Sequence, residues 1–421
     1  MSPKSKPAEP AIPTTVAAAF AHLAGTAAAT TELQIELSEI AAPTGAEGER
    51  AEVMAQWLRS TGCAVEIDEV GNVIGQRAGS VGGRALALSA HLDTVFPAGQ
   101  SVTVARGGSR SPYQEGVTVP ANELHGPGIA DDAAGLAALI AVAQAMAVST
   151  VATERDVLFV ATVGEEGRGD LRGARHFFAT HEAASLDGFV TIDHPDPTVI
   201  VHRGVGSRRY AVEFFGPGGH AWGHFGRYNP ALALAVAAAQ LGTSGTLAEG
   251  PRATFNVGIL DAGRSVNAIP ESARMEVDLR SEDEDQIDRL EALLREAVQA
   301  GHESELGLRP SGEAGVVIEP IGSRPRGATS VESTLVQTAV RALRAEHLTA
   351  RMTASSTDAN AGMAAGVPSI GLSWGGRSDN QHSLAEYFAP EGRERSLAVL
   401  LRVVLAMAGV ATPGTRGEAP S

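Results

Sequence analysis

The chain has 421 residues, 43% hydrophobic and 19% charged, with 33 basic and 49 acidic side chains for a formal net charge of -16. That length exceeds what one hydrophobic core usually holds and points to two domains, while the acidic balance works against nucleic acid and anionic membrane surfaces and leaves a small molecule or short peptide as the expected partner. The single cysteine, Cys63, excludes an intramolecular disulfide and a cysteine-rich zinc site, so any metal must be held by His, Asp and Glu.

The first residues, "MSPKSKPAEPAIPTTVAAAFAHLAG", carry four prolines before an Ala-rich run broken by His22. This makes a poor secretory signal, no window reaches a membrane span, and the expected location is cytoplasmic. Residues 1 to about 12 and about 412 to 421 read as loose tails. Helical patterns follow over residues 14 to 62, with Val53, Met54, Trp57 and Leu58 at helical spacing. Strand signals come next at Ala64-Val65-Glu66-Ile67 and Asn72-Val73-Ile74-Gly75. The apolar run Ala85-Leu86-Ala87-Leu88 then leads into "SAHLDTVFP".

Alternation along a strand places His91 and Asp93 on one side at a strand's carboxyl end, where open α/β sheets bind ligands. The pair reads either as a metal-binding imidazole oriented by a carboxylate or as a structural polar pair closing a strand. "DDAAGLAALIAVAQAMAVS" is an apolar helix from Asp131-Asp132, and "RDVLFVATV" is a buried strand of the parallel type. Strands alternating with helices predict an α/β fold: a mixed sheet flanked by helices.

The pattern changes near Ser207. "RRYAVEFFG", a helix from Asn229 to about Gly242, "RATFNVGIL", "SARMEVDLR", the charged helix "DEDQIDRLEALLREAVQAG" and "GVVIEPIG" read as a β-α-β-β-α-β insert. After Ser330 the α/β pattern returns with "STLVQTAVRALRAEH", "PSIGLSW" and "RSLAVLLRVVLAMAGV". The expected division is a catalytic domain of residues 1–206 and 319–421 around an inserted α+β lid of residues 207–318.

Further carboxylates and imidazoles sit at strand ends or helix starts: Asp131-Asp132 after "HGPGIA", Glu165-Glu166 after "VLFVATV", Asp193-His194 after "GFVTI", and His382 after "WGGRSDN". Each alone has an ordinary reading, as a helix cap, a solvated acidic pair or a loop histidine. Together, on the carboxyl side of one sheet, they concentrate negative charge that a metal would neutralise. Adjacent strand residues point to opposite faces, which favours Asp193 over His194 as the inward group.

The ordered set "SAHLDTVFP", "HGPGIADDAAG", "GEEGRGDLRGARHF", "TIDH", "GPGGHAWG", "SVNAIP", "VDLR", "SSTDAN" and "NQHSLAEY" resembles the M20 family of metallopeptidases and amidohydrolases, from about residue 30 to 410. The resemblance implies a zinc-peptidase-like domain with a smaller lid and a homodimer through that lid. It also implies two divalent ions, zinc first with manganese or cobalt as alternatives. By matching motif, His91 and Asp193 would bind one ion, Glu166 and His382 the other, and Asp131 would bridge them. Asp93 would orient His91, Glu165 would be the general base, and the peptide between Asp131 and Asp132 would be cis. His220 would support the oxyanion, a loop histidine hydrogen-bonded locally being the competing reading, and Asn267 and Arg280 would hold substrate. For Arg280 a surface ion pair with the following "SEDED" is the competing reading.

The chain also departs from the family's pattern at Ala133-Ala134, at "WGGRSDNQHS", which puts Arg377 near the pocket as a further substrate-binding candidate, and at the aromatic "GGHAWGHFGRYNP". The implied activity is hydrolysis of an amide C–N bond in a small peptide or N-acyl amino acid. The alternatives are hydrolysis or deamination of a non-peptide compound such as an aromatic amine, and a catalytically silent binding protein on the same scaffold.

Overall fold

The computed structural model describes residues 13–244, 250–310 and 313–411. The expected tails, residues 1–12 and 412–421, lie outside the described residues. The chain divides into two compact units, one of residues 1–202, 329–353 and 357–421, the other of residues 203–328 and 354–356.

The first unit opens with helices α1 (Thr14–Gly25), α2 (Ala27–Ser38) and α3 (Gly48–Ser60), then strands β1 (Ala64–Ile67), β2 (Val73–Arg77) and β3 (Ala85–His91). Helix α4 (Ala133–Val148), β4 (Val157–Thr162), α5 (Arg172–Thr180), β5 (Leu186–Ile192) and β6 (Val199–Gly204) follow. Its strands lie in the order β1-β2-β4-β3-β5, then Ser369–Leu372, then β6. The sheet is mixed. β4, β3, β5 and Ser369–Leu372 run parallel, while β2 is antiparallel to β4 and β6 is antiparallel to Ser369–Leu372. The fold is therefore the expected α/β arrangement of a mixed sheet between helices.

Alternation along β3 sorts its side chains to two cores. Leu86, Leu88 and Ala90 join the large cluster built with α1 to α4 and the last helix, while Ala85 and Ala87 face Phe177, Leu186 and Phe189. Helix α4 is apolar on every side because other elements enclose it: α1, α2, α3 and the last helix pack on it, as does β3. Asp132 caps it by accepting a hydrogen bond from the Gly135 N–H at 3.0 Å, so the helix begins at Ala133 and the Asp131–Asp132 peptide before it is cis, as expected.

The second unit holds β7 (Gly206–Phe215), α6 (Pro230–Thr243), β8 (Ala253–Ala262), β9 (Ser272–Ser281), α7 (Glu284–Leu308) and β10 (Gly315–Arg324). Its sheet order is β8-β9-β7-β10, antiparallel throughout. Both helices bury their apolar stripes against it, with Leu234, Ala237 and Leu241 of α6 and Leu290, Leu294 and Val298 of α7 in one cluster with Val212, Phe214, Met275 and Val277. Strand β10 pairs along β7 to Arg324 through a bulge between Pro320 and Gly322, which carries this unit on to Ala328. The first unit then resumes with α8 (Thr334–Ala345), the first three residues of β11 (Arg351–Ser355), α9 (Ala359–Ala364), β12 (Ser369–Leu372) and α10 (Arg393–Ala408).

Among the described residues no helix is long and apolar enough to cross a membrane.

Candidate metal centre

The parallel strands of the first unit deliver their chemistry at their carboxyl ends. Strand β3 ends on His91. Beyond β4, Gly164 takes a positive φ of 64° and turns the chain so that Glu165 and Glu166 follow, and β5 is followed at once by Asp193. His382 comes from the loop after β12, itself at a positive φ of 64°.

Asp131 is the focus. Its Oδ1 lies 2.9 Å from His91 Nε2 and its Oδ2 lies 3.1 Å from His382 Nε2, while His382 Nε2 is also 2.7 Å from Glu166 Oε1. One ligand atom each from His91, Asp131 and Glu166 can be found within 4.8 Å of one another.

The electrostatics show what this arrangement stabilises. Burial pushes the His91 pKa down, yet bonds to Asp131 and Asp93 outweigh it and hold the ring well above the ordinary histidine range. His382 is pushed up to about 11, first by Asp131 and then by Glu166. Asp131 is held low against its burial by the same two imidazoles. Asp132 and Asp193 are raised well above the carboxylate range, chiefly by burial, and for Asp193 next by the charge on Asp131. A cluster of this kind, buried or half-buried except for the His382 ring, favours positive charge at its centre. Its donor set of imidazole nitrogens and carboxylate oxygens suits a divalent cation of the zinc, manganese or cobalt kind, so the residues fit a metal.

Each ligand-bearing turn is held from elsewhere in the fold. The Asp93 carboxylate accepts the N–H of Glu165 and of Glu166, both at 2.9 Å, and the Thr44 hydroxyl at 2.8 Å. Strand β3 stops at His91, so simple alternation does not extend to Asp93. The His91 Nδ1 contact is to the Asp93 main-chain oxygen at 3.0 Å, with the carboxylate at 3.5 Å. Asp132 Oδ2 accepts the His91 N–H at 2.9 Å, and Glu47 Oε1 accepts the Gly164 N–H at 3.1 Å. Arg50, fully buried, donates from Nη1 to the Leu92 carbonyl at 2.8 Å and from Nη2 to the Ile40 carbonyl at 2.6 Å. Glu386, also fully buried, accepts three main-chain N–H groups of the turn before Asp131.

Sequence reasoning assigned no role to Glu47, Arg50 or Glu386. All three act on main-chain atoms far away in sequence, so no residue spacing announces them. His194 turns to the local chain, its Nδ1 accepting the Asp196 N–H at 3.0 Å.

The remaining expected residues fall as follows. Arg377, in the first unit, has a largely exposed side chain 3.9 Å from Glu391. In the second unit His220 and Asn267 come together: Gly219–His220 pairs with Ala268–Ile269, and the Ala221 N–H donates to the Asn267 carbonyl at 2.9 Å. His220 Nδ1 accepts the N–H groups of Trp222 and Gly223, both at 3.2 Å, which places the ring proton on Nε2. Arg280 is eight residues along β9 from Ser272, roughly 26 Å at strand spacing, toward the other end of that sheet. There its Nε donates to Asp278 at 2.6 Å rather than to the acidic run that follows it.

Buried strand ends that converge imidazoles and carboxylates on one mixed sheet define a metal-dependent hydrolase class. The model of peptidase family M20/M25/M40 matches residues 87–408, and the chain belongs to that family, and so to the hydrolases. A putative [LysW]-lysine/[LysW]-ornithine hydrolase of Pyrococcus abyssi is 33% identical over 140 residues, which span 33% of this chain and 34% of that relative. A tripeptidase of Staphylococcus aureus shares the fold at a TM-score of 0.70 and 20% identity, covering 91% of this chain and 98% of its own. The Bacillus subtilis YXEP protein, described as a dinuclear metal-binding peptidase, does so at a TM-score of 0.63 and 15% identity, covering 92% and 100%.

Proposed function

We propose that the protein hydrolyses an amide C–N bond in a small peptide or N-acyl amino acid at a centre of two divalent cations. The observation that carries this reading is the splayed contact of Asp131, one carboxylate oxygen to His91 and the other to His382, the geometry a bridging carboxylate needs. His91 and Asp193 would hold one cation and Glu166 and His382 the other. Zinc is the first expectation, with manganese and cobalt as alternatives. The dinuclear metal-binding relative and the tripeptidase support the reading by their shared fold.

Divalent cations at such a centre polarise a carbonyl and make water more acidic. The protein's own groups do the rest. Glu165, 4% exposed, is positioned by the bond from its N–H to Asp93, and it is the proposed base that takes a proton from the attacking water and passes it to the leaving amine. His220, with its proton on Nε2, is the proposed donor to the tetrahedral oxyanion. Asn267, Arg280 and Arg377 are the proposed substrate contacts. The same reading takes the protein as a cytoplasmic homodimer associating through residues 207–318.

The test is mass-spectrometric detection of products from dipeptides, tripeptides and N-acyl amino acids, with metal-loaded protein beside a chelated control. Metal-dependent release of an amino acid is expected, and Glu165→Gln should keep its metal while losing about 10²- to 10⁴-fold in turnover. Near-native turnover in that variant would remove Glu165 from the base role. Release of ammonia without a new amino acid would overturn the substrate class.

A further inference from the structure

Glu386 is buried with no exposed surface, although ionisable side chains are seldom fully buried unless paired. Its partners are main-chain groups. Oε2 accepts the Gly128 N–H at 2.9 Å, and Oε1 accepts those of Ala130 at 2.8 Å and Asp131 at 3.0 Å. Its own carbonyl accepts the Gly126 N–H at 3.3 Å. Four donors between residues 126 and 131 therefore terminate on one residue that is 255 positions from Asp131 in the chain. The turn they define is tight, since Gly128 has a positive φ of 72° and a Cβ there would come within 2.7 Å of Thr94 Cγ2. Glu386 also lies four residues beyond His382, and the intervening loop folds on itself through the Ser383 hydroxyl donating to the Asn380 carbonyl at 2.7 Å and the Glu386 N–H donating to the Ser383 carbonyl at 3.1 Å.

We propose that Glu386 is a positioning residue for the metal centre: its carboxylate clamps the 128–131 turn to the loop that carries His382 and so sets the distance between Asp131 and His382. The inference rests on the two-cation reading above. A carboxylate is suited to the task because it is an acceptor only, with room for several N–H groups on its two oxygens. A carboxamide is not, because whichever way it is turned its NH₂ confronts either the Gly128 N–H or the N–H pair of Ala130 and Asp131. An aspartate keeps the charge and withdraws it by one methylene.

The experiment uses full-length metal-free protein, native, Glu386→Gln and Glu386→Asp, titrated with Zn²⁺ against a competing chelator, with the visible spectrum of the Co²⁺-loaded forms and the melting temperature of each metal-free form. Supporting partners of metal ligands are commonly worth 10- to 100-fold in affinity, so both variants should bind Zn²⁺ about 10- to 100-fold more weakly and give an altered Co²⁺ spectrum, while their metal-free forms still melt cooperatively. If Glu386→Gln does not fold, Glu386→Asp carries the test. Native affinity in either variant overturns the proposal: in Glu386→Asp because charge alone then suffices, in Glu386→Gln because the clamp is not needed. Loss of cooperative melting in both would make Glu386 a residue of the fold and overturn it as well. If the native protein itself binds no Zn²⁺ or Co²⁺, the two-cation reading fails first and takes this inference with it, whereas native binding with unchanged variants overturns the inference alone.

Discussion

Replacing Arg50 by methionine tests how the fold supports its active end. The guanidinium is fully buried and makes four bonds to main-chain oxygens, to Leu92 at 2.8 Å, to Ile40 at 2.6 and 3.2 Å and to Ser38 at 3.5 Å. Burial pulls its pKa down to about 10, and the carboxylates of Asp93 and Asp132 act the other way to keep it charged. Methionine fills most of the space but leaves the buried Leu92 carbonyl without a donor and removes the cation that faces two buried carboxylates. An unsatisfied buried acceptor costs about 1–3 kcal/mol, and deleting one partner of a buried charge set typically costs about 3–5 kcal/mol. Relief of the guanidinium's own desolvation offsets part of this, so about 3–4 kcal/mol is expected, a large share of the roughly 5–15 kcal/mol that stabilises a typical protein.

Lysine keeps the charge but cannot span these carbonyls, and a loss of about 1–3 kcal/mol is expected. The assay is urea unfolding of the chelated protein followed by tryptophan fluorescence. Trp57 and Trp374 lie in the first unit, Trp374 almost fully buried, whereas Trp222 in the second is 89% exposed, so the signal reports mainly on the unit that holds Arg50. A native midpoint and slope for Arg50→Met, or an Arg50→Lys variant as unstable as Arg50→Met, would refute the reasoning.

Gly135→Ala should destabilise the protein and lower its metal capacity, because a Cβ there would overlap Asp132 Oδ1 and the carbonyl oxygen of Ile192, the residue before Asp193. Helix propensity alone predicts the opposite sign, a gain of about 1 kcal/mol, whereas overpacking predicts a loss of about 1–3 kcal/mol, so thermal melting with metal titration decides between them. In the second unit, Glu291 is drawn down to about 2 against its burial by Tyr210, Arg295 and Arg208, with Arg208 Nη1 at 2.7 Å and Arg295 Nη2 at 2.8 Å. A carboxylate whose folded pKa lies below its unfolded value stabilises above the unfolded pKa and loses that contribution as pH falls toward the folded one. Glu291→Gln should therefore melt below the native protein at pH 7, with the gap closing between about pH 4.5 and 2. A gap independent of pH would remove the ionised carboxylate as its cause.

The residues that carry the proposed chemistry were readable because they end strongly apolar runs. His91, Glu165 and Asp193 each follow such a stretch, and the alternation of these runs with helical segments was enough for a mixed α/β sheet, whose parallel strands place their carboxyl ends together. The β-α-β-β-α-β order of the second unit was equally plain, since each strand and helix there keeps its own period. Where that unit ends was less so. Strand β10 runs past Pro320 to Arg324 because a bulge absorbs the missing N–H and β7 offers pairing partners as far as Ser207.

Composition and periodicity thus determined which elements form and which carboxylates and imidazoles stand at their ends, because burial acts on side-chain type and spacing. Only the tertiary structure decided how those groups are held. Asp93 supports the Glu165–Glu166 turn more closely than the His91 ring, Asp132 binds the His91 main chain, Arg50 reaches Leu92 across 42 residues, and Glu386 reaches Asp131 across 255. Every one of these bonds ends on a peptide N–H or C=O. Nearly every residue possesses those groups, so no pattern of side chains can mark which of them will be met, and only the packed chain selects the partner.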